Sequence, residues 1–182
     1  MKRHPLERRW NTTAWDILSA IEHGFRAQVD VKGKLAEFYL FRELRALTAD
    51  AAVRDLVWQD NDGQPDFQIS YRGRPVRIEC KNVRSPIKAR EKPVSAKVEL
   101  QKTRNSKAGE PTRGYKCDEF EILSACLFNY TGKWEYLFIA TRNLELRPAP
   151  MDRFLKIMQP VPLHEAEQWR SNLLAALQDA SG

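Results

Sequence analysis

The 182-residue chain has few of the residues that build thiolate metal sites, disulfide frameworks or histidine-based catalytic centres. Its three cysteines show no CxxC spacing, and its three histidines are scattered at positions 4, 23 and 164. An odd number of cysteines in this arrangement indicates a reducing compartment, and the lack of paired histidines argues against zinc hydrolases and histidine-metal nucleases. The length nevertheless allows a buried core without disulfides or a structural metal.

The chain also lacks long apolar runs and glycine-rich phosphate loops. No run of about 18 apolar residues is present to span a bilayer, and the basic segment 1–5 leads into Arg8-Arg9-Trp10 rather than into the apolar stretch of a signal peptide. The missing glycine-rich loop argues against intrinsic ATP hydrolysis. We therefore expect a cytoplasmic protein with no membrane partner and no nucleotide cofactor.

Composition and periodicity predict one globular domain covering residues 1–182. Apolar residues make up 42% of the chain and aromatic residues 10%, which is typical of a folded core. Apolar spacing predicts helices over about 13–27, with Thr12 or Thr13 as N-cap, over about 33–48, over about 120–128 and over about 163–178. Strands are predicted at 56–58, 66–71, 76–81, 94–104 and 134–140. This order indicates an α/β fold in which a mixed central β-sheet is flanked by helices.

Two of these strands form a predicted hairpin with one polar and one apolar face. Arg72-Gly73 supplies a two-residue turn, so the residue numbers of each cross-strand pair sum to 145. Asp66 then faces Glu79, and Lys81 lies on the same face. Because two opposed carboxylates repel unless a cation lies between them, this face predicts a metal site with oxygen ligands, suited to Mg²⁺ or Mn²⁺.

Pro65-Asp66, twelve further residues and then Glu79-Cys80-Lys81 resemble the signature of the PD-(D/E)xK nuclease superfamily. The resemblance implies a restriction-endonuclease-like αβββαβ core over roughly residues 33–141. It also implies that Asp66, Glu79 and the backbone carbonyl of Cys80 bind the metal, and that Lys81 orients or activates the attacking water. Glu37, on the helix before the hairpin, matches the family's additional acidic residue, which orients the site or binds a second metal.

Positive charge is concentrated beside this motif. The net charge of the chain is +6, but residues 72–116 carry 14 Lys or Arg against 4 Glu. A polyanionic substrate favours such a region, because neutralising phosphates releases counterions, although a solvated loop explains the charge equally well. The predicted DNA-binding residues are Gln101, Lys102, Arg104 and Lys107. Asn105 breaks the Gln-x-x-x-Tyr form of the family's exonuclease branch, which disfavours an exonuclease.

The sequence therefore predicts a metal-dependent DNA endonuclease that hydrolyses phosphodiester bonds and is similar to small type II restriction enzymes. A single site per chain implies a homodimer for cutting both strands of duplex DNA. Two alternatives stay open. One is a structure-specific nuclease of the junction-resolving or repair kind, and the other is a DNA-binding module that has lost catalysis.

Overall fold

The computed structural model describes residues 3–49, 53–61, 63–86, 95–102 and 113–181. The chain forms two compact units, Met1–Leu35 and Ala36–Gly182. The first unit contains α1 (Pro5–Arg9), α2 (Ala14–His23) and the beginning of α3 (Phe25–Leu47). The prediction of a single nuclease domain over residues 1–182 stays a prediction.

The boundaries of the N-terminal helices follow from local capping. Of the two predicted N-cap candidates, Thr12 and Thr13, the N-cap of α2 is Thr13, whose hydroxyl accepts a hydrogen bond from the Asp16 N–H at 3.1 Å. The helix ends at His23 rather than at 27, because the Gly24 N–H bonds the Ile21 carbonyl. A new helix, α3, begins directly afterwards, eight residues before the predicted start at 33.

The second unit is built on a five-stranded mixed sheet. Its strands are β1 (Val53–Trp58), β2 (Phe67–Tyr71), β3 (Arg74–Asn82), β5 (Ile122–Cys126) and β6 (Tyr136–Ala140), hydrogen-bonded in the order β1-β2-β3-β5-β6. The first three form an antiparallel meander, β3 and β5 are parallel, and β5 and β6 are antiparallel. The prediction of a mixed central sheet is confirmed.

The register predicted for the central hairpin is also confirmed. Strands β2 and β3 pair from Tyr71 with Arg74 to Phe67 with Ile78, so the residue numbers of each pair have the predicted sum. Arg72 and Gly73 adopt φ angles of 48° and 77°, the left-handed region that a tight two-residue hairpin turn requires. Asp66 and Glu79 lie one step beyond the last paired residues.

Helices cover one face of the central sheet. Ala36, Leu40 and Leu44 of α3 recur at helical spacing and are buried in the same cluster as Ile69 and Ile78. The helix α5 (Leu173–Ser181) packs into this cluster through its own apolar residues, which are Leu173, Ala176 and Leu177. Burial on this face therefore positions α3 against the hairpin.

A second, two-stranded sheet packs on the opposite face. It pairs β4 (Ser95–Glu99) with β7 (Met158–Pro162) in antiparallel register. Val98 and Val161 from this sheet share a buried cluster with Leu123 and Ile139 of the central sheet. The strand predicted over 94–104 is therefore shorter than expected and lies outside the central sheet, and β7 was not predicted.

The buried helix predicted over 120–128 is wrong, because residues 122–126 form the strand β5. All five residues of β5 are buried, and its side chains alternate between the two apolar clusters. A short apolar run has the same composition in a buried helix and in a strand covered on both faces, and pairing with β3 and β6 decides in favour of the strand. A short helix, α4 (Phe128–Thr131), follows it.

The predicted C-terminal helix begins ten residues later than expected, at Leu173 rather than at 163. The preceding segment is held by long-range backbone pairing, since Arg170 and Phe138 exchange two N–H···O hydrogen bonds of 2.8 Å. Asn172 then accepts the Leu174 N–H at 2.7 Å as the helix begins. Within the described residues, no helix combines the length and apolar character needed to cross a membrane.

Candidate active site

Asp66 lies directly before β2 and is held at both its backbone and its side chain. Its carbonyl accepts the Gln59 N–H at 2.8 Å, and its carboxylate atom Oδ2 accepts the Cys80 N–H at 2.8 Å. Pro65, which precedes it, is buried. The carboxylate therefore takes the place of a ladder partner for β3 at the end of the hairpin.

Glu79 and Lys81 lie on one face of β3 and interact directly. Glu79 is only 2% exposed. Its Oε1 accepts hydrogen bonds from the Lys81 ammonium group and from the Tyr115 hydroxyl, the latter at 2.5 Å. A buried carboxylate is expensive unless it is paired and hydrogen-bonded, and these two donors meet that requirement.

The electrostatics of the site favour a cation. Burial, and then the negative charges of Glu79 and Glu37, raise the pKa of Asp66 to about 7, although Lys81 and the Cys80 N–H oppose the shift. The pKa of Lys81 is raised well above its usual value, because the attraction of Glu79 and Asp66 outweighs the effect of burial. The Lys81 ammonium is therefore charged, and it is one positive charge beside the three carboxyl groups of Asp66, Glu79 and Glu37.

Glu37 of α3 joins this cluster from the helical side. It is 9% exposed, and its Oε2 accepts a hydrogen bond from the Trp58 indole N–H at 3.0 Å. Trp58, at the end of β1, stacks on Phe41 and Phe67 with ring centroids 5.4 Å and 5.9 Å away. Trp58 thereby holds the Glu37 carboxylate at the end of β1, the strand that precedes Asp66 in the chain.

The donor set suits a hard divalent cation that keeps part of its water shell. In the described part of the chain, no group of three or more His, Cys, Asp or Glu side chains is arranged to hold a metal. Mg²⁺, however, is commonly bound by one or two carboxylates, with waters and substrate phosphate oxygens completing its octahedron. Asp66 and Glu79 provide two such carboxylates, so the residues present fit Mg²⁺ or Mn²⁺ and do not fit a fully protein-enclosed ion.

The backbone carbonyl of Cys80 is a suitable third oxygen. Extending the hairpin register by two residues places Pro65 opposite Cys80, and proline has no N–H to donate to that carbonyl. The Cys80 N–H is used by Asp66, and its side chain is buried in the apolar cluster. Burial raises the pKa of this thiol well above its usual value, so it is a packing residue rather than a nucleophile.

The structure describes two of the four residues predicted to bind DNA. Gln101 pairs through its backbone with Gly114, and the Lys102 N–H bonds the Arg113 carbonyl at 2.8 Å. The Lys102 ammonium forms an ion pair with Glu119 at 2.6 Å and lies 5.2 Å from the centre of the Tyr115 ring. Lys102 is therefore close to the site, whereas Arg104 and Lys107 lie outside the described residues.

Two aromatic residues of the site were missed by sequence reasoning. Trp58 contacts Glu37 across 21 residues, and Tyr115 contacts Glu79 across 36 residues. Burial, and then the charge of Glu79, raise the pKa of Tyr115, so its hydroxyl stays a donor at any ordinary pH. No spacing in the sequence relates residues so far apart; the only local sign was an aromatic residue at the end of the basic segment.

Comparisons with known proteins do not identify the chain. No family model matches it, and no curated protein or solved structure matches it significantly. The function is therefore inferred from the residues that the fold brings together.

Proposed function

We propose that this protein is a metal-dependent DNA endonuclease with a restriction-endonuclease-like core. The observation that supports the proposal is the convergence of Asp66, Glu79 and Lys81 at one end of the β2-β3 hairpin, with Glu37 beside them. These are the residue types and the strand setting of the PD-(D/E)xK signature. Their proximity depends on a register that the apolar pattern of the hairpin specifies independently of the motif.

The strand order of the second unit is compatible with this core. Helix α3 precedes the meander β1-β2-β3, and β5 continues the sheet in parallel with β3. The match to αβββαβ is partial, because β5 occupies the position where the second helix was expected. The fold therefore supports the proposal through its first four elements and its parallel β3-β5 pair.

Each residue of the cluster has a defined chemical task in this proposal. Asp66, Glu79 and the Cys80 carbonyl hold a divalent cation, which stabilises charge developing on the scissile phosphate when it is bound. The Lys81 ammonium is held over Glu79, where it can orient the attacking water or neutralise the phosphate in the transition state. Glu37 keeps the cluster negative enough to attract a cation.

DNA is the proposed substrate because the sequence around Glu79 and Lys81 is rich in positive charge. Residues 72–116 carry a large excess of Lys and Arg, and Lys102 lies next to the cluster through Tyr115. Phosphate contacts of this kind supply affinity without reading sequence. A single cluster per chain serves one strand, so double-strand cleavage in this proposal requires a homodimer.

Nicking of supercoiled plasmid tests the proposal directly. The purified protein is incubated at low salt with Mg²⁺, with Mn²⁺ or with EDTA, and Asp66→Asn is compared with Asp152→Asn, a control at an exposed carboxylate. We expect metal-dependent nicking by the wild type and by the control, and a loss of at least about 10²-fold in Asp66→Asn, as for other single groups that act in the transition state.

The same assay separates the alternatives. Nicking of a branched substrate, with intact linear duplex of random sequence, indicates a structure-specific nuclease, whereas cleavage of plasmid at fixed positions indicates a restriction-like enzyme. If the wild type shifts DNA in a gel but cuts no substrate with either metal, the chain is a binding module and the catalytic proposal is wrong.

A further inference from the structure

Tyr115 contacts two of the proposed catalytic residues, Glu79 and Lys81, and also Lys102, which is predicted to bind DNA. Its hydroxyl donates to Glu79 Oε1 at 2.5 Å, and the ammonium groups of Lys81 and Lys102 lie 5.6 Å and 5.2 Å from the centre of its ring. Tyr115 is 8% exposed and packs against Phe120, with ring centroids 5.5 Å apart in an edge-to-face arrangement. The ring is therefore fixed by packing, and its hydroxyl is aimed at one carboxylate.

The two donors to Glu79 act on the same oxygen atom. Lys81 and Tyr115 both donate to Oε1, which leaves Oε2 outside this pair of hydrogen bonds. A carboxylate held by one flexible lysine can rotate, whereas a second donor from a rigid ring restricts it to one orientation. The hydrogen bond from Tyr115 therefore fixes the orientation of the Glu79 carboxylate, in which Oε2 is the oxygen that would bind a metal.

The ring also contacts two cations. Lys81 is paired with Glu79, and Lys102 is paired with Glu119, while both ammonium groups interact with the same aromatic ring. The Tyr115 ring is therefore in contact with one lysine of each ion pair.

We propose that Tyr115 is a positioning residue of the active site, whose hydroxyl orients the Glu79 carboxylate for a divalent cation. The inference rests on the proposed function, since it gives Tyr115 a task toward the same metal. Groups that hydrogen-bond to metal ligands typically contribute about 10-fold to 100-fold in metal affinity. Tyr115 touches neither water nor substrate in this role and acts through Glu79.

The test is a Mn²⁺ titration of the wild type, Tyr115→Phe and Tyr130→Phe, in which electron paramagnetic resonance measures the free Mn²⁺. Tyr115→Phe removes only the hydroxyl and keeps the ring with both of its cation contacts. Tyr130→Phe is the matched control, because Tyr130 packs against the same apolar cluster without being one of the site residues. Urea unfolding of each protein in EDTA checks that the fold is intact.

We expect the Mn²⁺ dissociation constant to rise by about 10-fold or more in Tyr115→Phe and to stay within about 2-fold of wild type in Tyr130→Phe. In the plasmid assay, the loss of activity should be largest at low Mn²⁺ and should shrink as the metal approaches saturation. Wild-type Mn²⁺ affinity in Tyr115→Phe overturns the positioning role alone. Failure of the wild type to bind Mn²⁺ refutes the metal site, and with it both the proposed function and this inference.

Discussion

The charge of Asp66 should destabilise the metal-free protein, and Asp66→Asn should remove that cost. Asn is nearly the same size as Asp, and its side-chain carbonyl can still accept the Cys80 N–H that Asp66 accepts at 2.8 Å. The substitution removes only the negative charge that burial, Glu79 and Glu37 make unfavourable. Unlike most substitutions at a buried polar site, it should therefore stabilise the fold.

The size of the effect follows from proton linkage. The pKa of Asp66 is about 7 in the folded protein, against an ordinary value of 3.8 for an aspartate. The folded state therefore binds the proton more tightly than the unfolded chain, so the cost is absent below the unfolded pKa, grows as the pH rises and is complete above the folded pKa. Between about pH 5 and about pH 8.5 this amounts to about 3 kcal/mol, and solvent reaching the half-buried side chain reduces it to about 2 kcal/mol.

Urea unfolding in EDTA at these two pH values measures this difference. The free energy of unfolding of Asp66→Asn minus that of wild type should increase by about 2 kcal/mol from the lower to the higher pH. Asp152→Asn, at an exposed carboxylate, should show no such increase. If the difference is independent of pH, or if Asp66→Asn is less stable at the higher pH, then Asp66 is not destabilised by its neighbours, and the argument for a cation at this site fails.

Three further predictions concern the neighbouring charges. Lys81→Ala should lower turnover by roughly 10²-fold while Mn²⁺ and DNA binding persist, since the lysine acts mainly on transition-state charge; near-normal turnover, or loss of Mn²⁺ binding, contradicts this role. Glu79→Ala should lower the free energy of unfolding without metal by roughly 2–4 kcal/mol, because it leaves Lys81 unpaired. The control Glu145→Ala, which breaks an exposed ion pair, should cost at most about 1 kcal/mol. Equal urea midpoints for the two variants would exclude a structural role for the buried pair of Glu79 and Lys81. Lys102→Gln should weaken binding of all DNA sequences alike and reduce the salt slope by about 1, and a changed cleavage position would show instead that Lys102 reads bases.

The Glu79 prediction differs from what the sequence alone suggested. The hairpin pattern indicated two opposed carboxylates that repel each other, and it did not distinguish Asp66 from Glu79. Their surroundings differ in the structure. Glu79 is 2% exposed and paired with Lys81 and Tyr115. Burial, and then the charge of Glu79, raise the pKa of Asp66. Only Asp66 is therefore expected to stabilise the apo protein when it is neutralised.

Features that depend on neighbours in the chain could be predicted from the sequence. The register of β2 and β3 follows from alternating side chains and from the turn at Arg72-Gly73, since a shift of one residue would expose the apolar face. A threonine N-cap for α2, at Thr12 or Thr13, follows from the hydrogen-bonding capacity of the side chain, and the structure selects Thr13. The closeness of Asp66, Glu79 and Lys81 is a consequence of the same register.

Features that depend on distant segments were decided only by the tertiary structure. Residues 122–126 are a strand because β3 and β6 lie on either side of them, although their apolar composition suits a buried helix equally well. Strand β4 lies outside the central sheet because it pairs with β7, which is about 60 residues further along the chain. Tyr115 and Trp58 likewise contact site residues that are distant from them in the sequence. Local pattern determines which face of an element is buried, but only the packing of the whole chain determines which elements meet there.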